Sequence, residues 1–328
     1  MLKYVFKRIL YMIFVFSVMS ILLFILYNGI QGDPARAEIE PMKMKLEPAQ
    51  YEQLYRETRA RMGLDDPLVT RYTRWLGKTI RLDFGQSIRY QRPVIDVVKP
   101  PLQFTIKINI FAVIIGLAIT IPLGIFTAVK KNSIFDKSVQ VFTIIGYSIP
   151  VFITALLFMY FFAVRWRLLP LNGMETPNFK GTAAELRADQ IRHLILPLIV
   201  MTVTSLASIT RYVRAAMMEA LSMDYIKTAR AKGLKEKAVI FSHAWRNALL
   251  PVITLIIGWI MSIFSGAFII ESMFNLNGMG KLYIDSLYAK DFNVVLAVQL
   301  FYVLIALIGN LLVDLSYGVV DPRVRVNE

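Results

Sequence analysis

The sequence predicts an all-α polytopic membrane protein with six transmembrane helices, and three observations predict it. Of its 328 residues, 56% are hydrophobic and only 18% charged, against roughly 45–50% and roughly 25% in an average soluble domain. The apolar residues fall in six long runs near the ~20 residues needed to cross ~30 Å of hydrocarbon: Ile9 to Ile30, Ile108 to Val129, Val139 to Val164, Leu194 to Thr210, Leu249 to Ile270 and Val294 to Val313. The formal charge of +14 is spread between these runs and not gathered on one face. Lipid headgroups and partner proteins are therefore its expected counter-charges, and nucleic acid is not. No cysteine is present, which excludes disulfides, thiolate metal sites, iron–sulfur clusters and cysteine nucleophiles.

The first run follows Lys3, Lys7 and Arg8, and Lys130, Lys131 and Lys137 separate the second from the third. The positive-inside rule puts both segments in the cytoplasm, and with six crossings both termini lie there. Residues 1–30 are then an N-terminal transmembrane anchor helix. Ala35-Arg36-Ala37 resembles a signal-peptide cleavage site, but the apolar run before it exceeds the ~7–15 residues of a signal core, so a retained anchor is expected. Residues 31–100 form an extracytoplasmic segment. It carries 13 Lys and Arg, against the rule, which is calibrated on shorter loops. Pro48 opens a polar helical stretch that Gly63 ends, and Asp66-Pro67 gives an N-cap and a first-turn proline. Leu68, Tyr72, Trp75, Leu76 and Thr79-Ile80 then recur near helical spacing, an apolar stripe that needs a surface to lie on. Residues 101–320 make a five-helix core with a cytoplasmic loop at 211–247, and residues 321–328 are a cytoplasmic tail.

The cytoplasmic loop is the most informative segment. Eight basic residues lie between Arg211 and Pro251. Asp224 is a suitable N-cap, Tyr225 to Lys232 make about two turns, and Gly233 is a suitable stop. A helix of ~12 Å is marginal alone, so flanking helices or a groove in another protein must hold it. A second helix is expected from about Lys235 through Ala238, Phe241 and Trp245 into the fifth span.

The stretch Asp224-Tyr225-Ile226-Lys227-Thr228-Ala229-Arg230-Ala231-Lys232-Gly233-Leu234, with His243-Ala244-Trp245-Arg246-Asn247-Ala248-Leu249-Leu250-Pro251, resembles the cytoplasmic signature of permease subunits in the dipeptide and oligopeptide class of ATP-binding-cassette (ABC) importers. The resemblance extends along most of the chain: Gly32-Asp33-Pro34, Gly63-Leu64-Asp65, Ile121-Pro122-Leu123-Gly124, Ser148-Ile149-Pro150-Val151-Phe152, Gly266-Ala267 with Glu271, Gly278-Met279-Gly280, and Asp321-Pro322-Arg323-Val324-Arg325. Phe274-Asn275-Leu276-Asn277 and Lys290-Asp291-Phe292-Asn293 depart from the Pro-Gly and Arg-Asp patterns usual there, which bears on subclass and substrate.

The resemblance implies a type I importer permease fold with an extracytoplasmic helical insertion after the first helix. It implies half of a translocation pathway built with a homologous second permease, two cytoplasmic ATPase subunits that hold the ATP and magnesium, an external solute-binding protein, and alternating access. It makes Asp224, Tyr225, Lys227, Thr228, Ala229, Arg230, Ala231, Lys232, Gly233 and Leu234 a coupling helix that contacts an ATPase, and Glu271 a gate or docking residue. The implied substrate is a dipeptide or oligopeptide; related systems carry nickel, glutathione or oligosaccharide, and no residue here separates these. An ion-coupled secondary transporter is the alternative of another class, and it would need midspan carboxylates that the runs lack.

No catalytic, metal or cofactor site is expected on the chain. Leu76-Gly77-Lys78-Thr79 resembles the end of a phosphate-binding loop, but Tyr72 stands where its first glycine belongs, and Gly280-Lys281 is followed by Leu282 where Ser or Thr is needed. Ser148 is the candidate intramembrane nucleophile, but His193 and His243 fall outside the spans, beyond reach of it, so Ser148-Pro150 reads as a bend. Among Lys107, Asn109, Arg211, Arg214, Asn310 and Asp314, the long basic side chains are expected to snorkel to the interface.

Overall fold

The computed structural model describes residues 2–29 and 33–320. Expectations that fall on Ile30, Gly32 and residues 321–328 lie outside the described residues. Helices α1 (Leu2–Gly29), α2 (Pro34–Ile39), α3 (Pro48–Arg61), α4 (Leu68–Thr79), α5 (Val94–Val129), α6 (Ile134–Ser148), α7 (Val151–Phe158) and α8 (Ala183–Ser222) are followed by α9 (Asp224–Ala231), α10 (Glu236–Ala238), α11 (Arg246–Ser262), α12 (Phe268–Met273), α13 (Met279–Tyr288) and α14 (Phe292–Val320). Among the described residues β pairing is limited to an isolated bridge between Gln86 and Pro93. Wide π turns extend α7 from Met159 to Arg165 and join α10 to α11 from Val239 to Trp245.

Among the described residues five helices are long and apolar enough to span a membrane; α6 and α7, bent by 106° at their junction, pass the same test together and make a sixth if the pair is one broken span and not a re-entrant loop. The bend falls at Ile149-Pro150. Ile149 is extended (φ −83°, ψ 124°), as a residue preceding proline prefers to be, and Pro150 is the N-cap of the next helix (ψ 139°), where no intrahelical bond needs its missing N–H. The fifth span differs from expectation: its helix stops at Ser262 and not at Ile270, and α12 is a separate short helix. The Asn109 side chain causes the break. Its amide donates to the carbonyls of Ser262, Ile263 and Ser265 at 3.2, 3.1 and 2.9 Å, satisfying C-terminal groups that a continued helix would have used.

The described residues form two compact units. One holds residues 102–281 and 305–320, the other Val5–Pro101 and Leu282–Leu304. In the first, Leu196 and Val200 of α8 pack with Ile108, Ala155, Ile270, Phe274 and Leu276. Farther along α8, Val213, Met217 and Ala220 pack with Ile125, Ala128, Val239, Ala248 and Val252.

In the second unit the apolar stripe of α4 finds its surface on α1. The ring of Phe24 lies 5.5 Å from that of Tyr72 and 5.2 Å from that of Trp75, and the hydroxyls of Tyr72 and Ser20 are 2.9 Å apart. The N-cap of α4 is Pro67, one residue after the expected Asp66, and Asp66 instead accepts from Arg74 at 2.7 Å. Asp33 ties α2 to α3, accepting from the Tyr55 hydroxyl, from the Ala35 amide at 2.9 Å and from Arg59 at 2.7 Å. Burial alone would raise the Asp33 carboxyl, but these donors outweigh it and hold it below the ordinary aspartate range. Its contribution is thus complete above the unfolded value and lost as pH falls through the depressed one. Hydrogen exchange of residues 33–65 is expected to accelerate below about pH 4, and Asp33→Asn to exchange faster at pH 7 with a flatter acid response. A wild-type acid response retained in Asp33→Asn would assign the effect to another carboxylate.

Candidate functional site

The residues singled out in the 211–247 loop form one short helix and the turn that ends it. Met223 breaks the chain after α8 with an extended backbone (φ −76°, ψ 150°), and α9 starts at Asp224. Asp224 is therefore the first helical residue and not the cap. Its carboxylate in the first turn still opposes the positive end of the helix dipole, and it accepts from Lys227 at 2.8 Å. The helix ends at Ala231, Lys232 is its C-cap, and Gly233 follows at φ +75°, the left-handed conformation that glycine adopts without a Cβ penalty.

The two faces of α9 differ in kind. Ile226 and Ala229, three residues apart and so on one face, are 0% and 4% exposed and join the core formed by Met217, Ala220, Val239 and Ala244. Flanking helices therefore hold this marginal helix. Asp224, Tyr225, Lys227, Thr228, Arg230, Ala231, Lys232 and Leu234 are exposed. Arg230 donates to Glu236 at 2.6 and 3.2 Å, clasping α9 to α10, and this bond raises the guanidinium above its ordinary value. Lys227 and Arg230 are thus already paired within the chain. Lys232, Lys235 and Lys237, which follow α9 directly, have no partner among the described residues; the last two were not among the residues singled out from the sequence.

Glu271 lies within α12 and is 2% exposed. Its carboxylate accepts from the Thr105 hydroxyl at 3.0 Å, the Ala267 amide at 3.2 Å and the Lys281 amide at 2.9 Å. The Thr105 hydroxyl in turn accepts from the Met279 amide at 2.8 Å. One carboxylate thereby fastens the break after α11 and the start of α13 to α5. Gly278 is obligatory here, because a Cβ would lie 2.4 Å from the Glu271 side chain. Gly278→Ala is expected to cost about 1–3 kcal/mol by overpacking. Thermal unfolding of Gly278→Ala, Glu271→Ala and the double variant checks this: the double variant should melt above the sum of the two losses, and strict additivity would rule the contact out.

A further cluster was missed in the sequence. Asp136 of α6 is 0% exposed and accepts from Arg214 of α8 at 2.7 and 2.8 Å, from the Asn132 amide at 2.9 Å and from Gln140 at 3.0 Å. Arg214 therefore does not snorkel. Nothing in the spacing of residues 136 and 214 signals the pair, which arises only because α6 packs along α8. His193 is likewise internal, its Nδ1 2.9 Å from the Asp189 carbonyl. Among the described residues no group of three or more His, Cys, Asp or Glu side chains could hold a metal.

Apolar spans, a sharply bent helix pair and a short two-faced helix projecting between two of the long ones define a multi-pass membrane permease. The chain belongs to the family of binding-protein-dependent transport system inner membrane components: the family profile matches residues 120–326, and the N-terminal profile of the same membrane components matches residues 1–109. Relatives align nearly end to end. The oligopeptide transport system permease protein AppB of Bacillus subtilis is 36% identical, covering 99% of this chain and 100% of the relative. The dipeptide transport system permease protein DppB of Escherichia coli K12 is 34% identical over 99% of both. A provisionally named peptide permease of Brucella suis biovar 1 is 38% identical over 99% of this chain and 100% of its own length.

Proposed function

We infer that this chain is the permease subunit of an ATP-driven importer of dipeptides or oligopeptides, forming half of the pathway with a homologous second permease. Two cytoplasmic ATPase subunits bind the ATP and magnesium, and an extracytoplasmic solute-binding protein delivers the substrate. Both termini lie in the cytoplasm, with residues 31–100 on the far side. The peptide-permease names of the full-length relatives support the substrate class.

The observation that carries the mechanism is the division of α9 into a buried and an exposed face. Ile226 and Ala229 weld it to α8 and to the π turn that enters α11, so a push on the exposed face moves whole helices instead of deforming a loop. Tyr225, Thr228 and Leu234, with the unpaired Lys232, Lys235 and Lys237, offer an ATPase cleft an apolar and cationic surface, complementary to acidic groups. Closure of the ATPase pair then displaces α9, and hydrolysis returns it. Glu271 acts as a gate element by holding the break after α11 to α5 and α13.

The test is gentle purification followed by intact-complex mass spectrometry and ATPase assay. Recovery with two ATPase subunits, whose turnover rises when the binding protein carries a peptide, is expected. Stimulation by nickel, glutathione or oligosaccharide alone would overturn the substrate class. Ion-driven uptake by the chain alone, without ATP, would overturn the importer reading.

A further inference from the structure

The N-terminal unit contains a cleft of about 900 Å³ that belongs neither to the α9 loop nor to the Glu271 turn. Phe24 and Tyr27 of α1 and Trp75 of α4 line its apolar part. Arg71, Arg74 and Lys78 line it from α4, spaced so that they share one face of that helix. Several of its cations are already neutralised: Arg74 by Asp66 at 2.7 Å, Arg59 by Asp33 at 2.7 Å and by Asp65 at 2.6 Å, and Arg61 by Glu38. Arg71 has only the neutral side-chain oxygen of Asn28, and the Lys78 ammonium has no partner among the described residues. Asp83, held by the Gly85 amide at 3.0 Å, is the lining acid without a cation. Arg71 and Lys78 are thus the two lining cations without an acid partner, and both stand on the face of α4 that lines the cleft.

The depth of the cleft identifies what fills it. The Tyr72 hydroxyl reaches Ser20, nine residues before the end of α1 at Gly29, hence ~13 Å along a helix that is long and apolar enough to span a membrane. Helix α4 therefore lies beside the last stretch of the span, at the level where acyl chains meet headgroups and where Trp and Tyr concentrate. Val69 and Ile80, at the two ends of α4, are 74% and 72% exposed, as an interfacial helix allows.

We propose that this cleft binds the headgroup of a membrane phospholipid in the leaflet at the Gly29 end of α1. Arg71 and Lys78, the two cations without an acid partner, pair with the anionic phosphodiester. The glycerol and first acyl carbons lie over Phe24, Tyr27 and Trp75.

The full-length chain, purified with whatever subunits accompany it, tests this by native mass spectrometry with added dioleoyl phosphatidylglycerol. The Arg71→Gln/Lys78→Gln variant should need about tenfold more lipid to retain one tightly held molecule, and equal retention would overturn the proposal. If the double variant fails to insert, Lys78→Gln, which removes no internal contact, carries the test with about a threefold shift expected; no shift overturns it. Glycerol phosphate or hexaglutamate displacing the lipid at equal concentration would identify a soluble-phosphate or acidic-peptide site instead. Phosphatidylglycerol with brominated acyl chains should quench the fluorescence of the wild type more than that of Trp75→Phe; equal quenching would place the lipid elsewhere and overturn the assignment.

Discussion

Ala229→Asp should abolish peptide uptake, lowering it at least tenfold, while the chain still inserts in the membrane. Ala229 is 4% exposed and packed in the core that seats α9 on α8 and on the π turn. A carboxylate there has no cation to meet, since Lys227 and Arg230 are engaged with Asp224 and Glu236. Burying it unpaired costs several kcal/mol, so the helix must lift off its seat to hydrate it. The lifted helix is still bound to the chain but no longer moves with α8 and α11, so ATP turnover should persist or fall modestly while transport stops. Gly233→Pro should act in the same direction by another route. Gly233 sits at φ +75° and its amide donates to the Arg230 carbonyl at 2.9 Å, whereas proline is held near φ −65° and has no N–H. Gly233→Ala is the graded control: open space surrounds the added Cβ, so only the backbone penalty of about 1 kcal/mol applies, and uptake should fall a few-fold. Uptake and ATPase rates in reconstituted vesicles read all three, and undiminished uptake in Ala229→Asp would refute the role given to α9.

Asp136→Ala should produce the largest loss of stability, about 3–5 kcal/mol, because it strands the mostly buried Arg214 guanidinium. The carboxylate receives four hydrogen bonds from three residues, and alanine also leaves the Asn132 amide and the Gln140 side chain without an acceptor. Replacing both members, as in Asp136→Leu with Arg214→Met, removes the charges together and should recover most of the loss. Thermal unfolding in detergent compares the two, and a double variant no better than Asp136→Ala would mean that the pair is not the source of the effect. The same measurement has a functional edge. Arg214 stands nine residues before Met223, where α8 gives way to α9, so the pair also fixes the helix on which α9 is seated.

Much of this protein was legible in local chemistry. Apolar runs of membrane-crossing length fix where spans lie, since unsatisfied backbone polar groups cannot face hydrocarbon and only a helix satisfies its own. Pro150 marked the bend because proline fixes its own φ, and Gly233 marked the end of α9 because glycine alone enters the left-handed conformation without penalty. The positions of Glu271 and Arg214 were not legible. A polar residue near a span end reads equally as a snorkelling side chain or as half of an internal pair, and its partner lies far away in sequence: Thr105 for Glu271, Asp136 for Arg214. The fifth span was overextended for the same reason, since Ile263 to Ile270 is apolar enough to continue a helix and the side chain that ends it, Asn109, comes from α5.

By itself, then, the sequence determined where the apolar membrane-crossing segments fall, the short helix between two of them, and the family to which they belong, because hydropathy, turn residues and motif spacing are properties of neighbouring residues. Tertiary structure alone decided which face of α9 is free, which charges in its loop remain unpaired, and that Glu271 and Asp136 are inward fastenings. The first two depend on how α9 packs against α8 and the π turn after it, and the last on partners 78 and 166 residues away; a buried charge is set by the partner that packing brings to it.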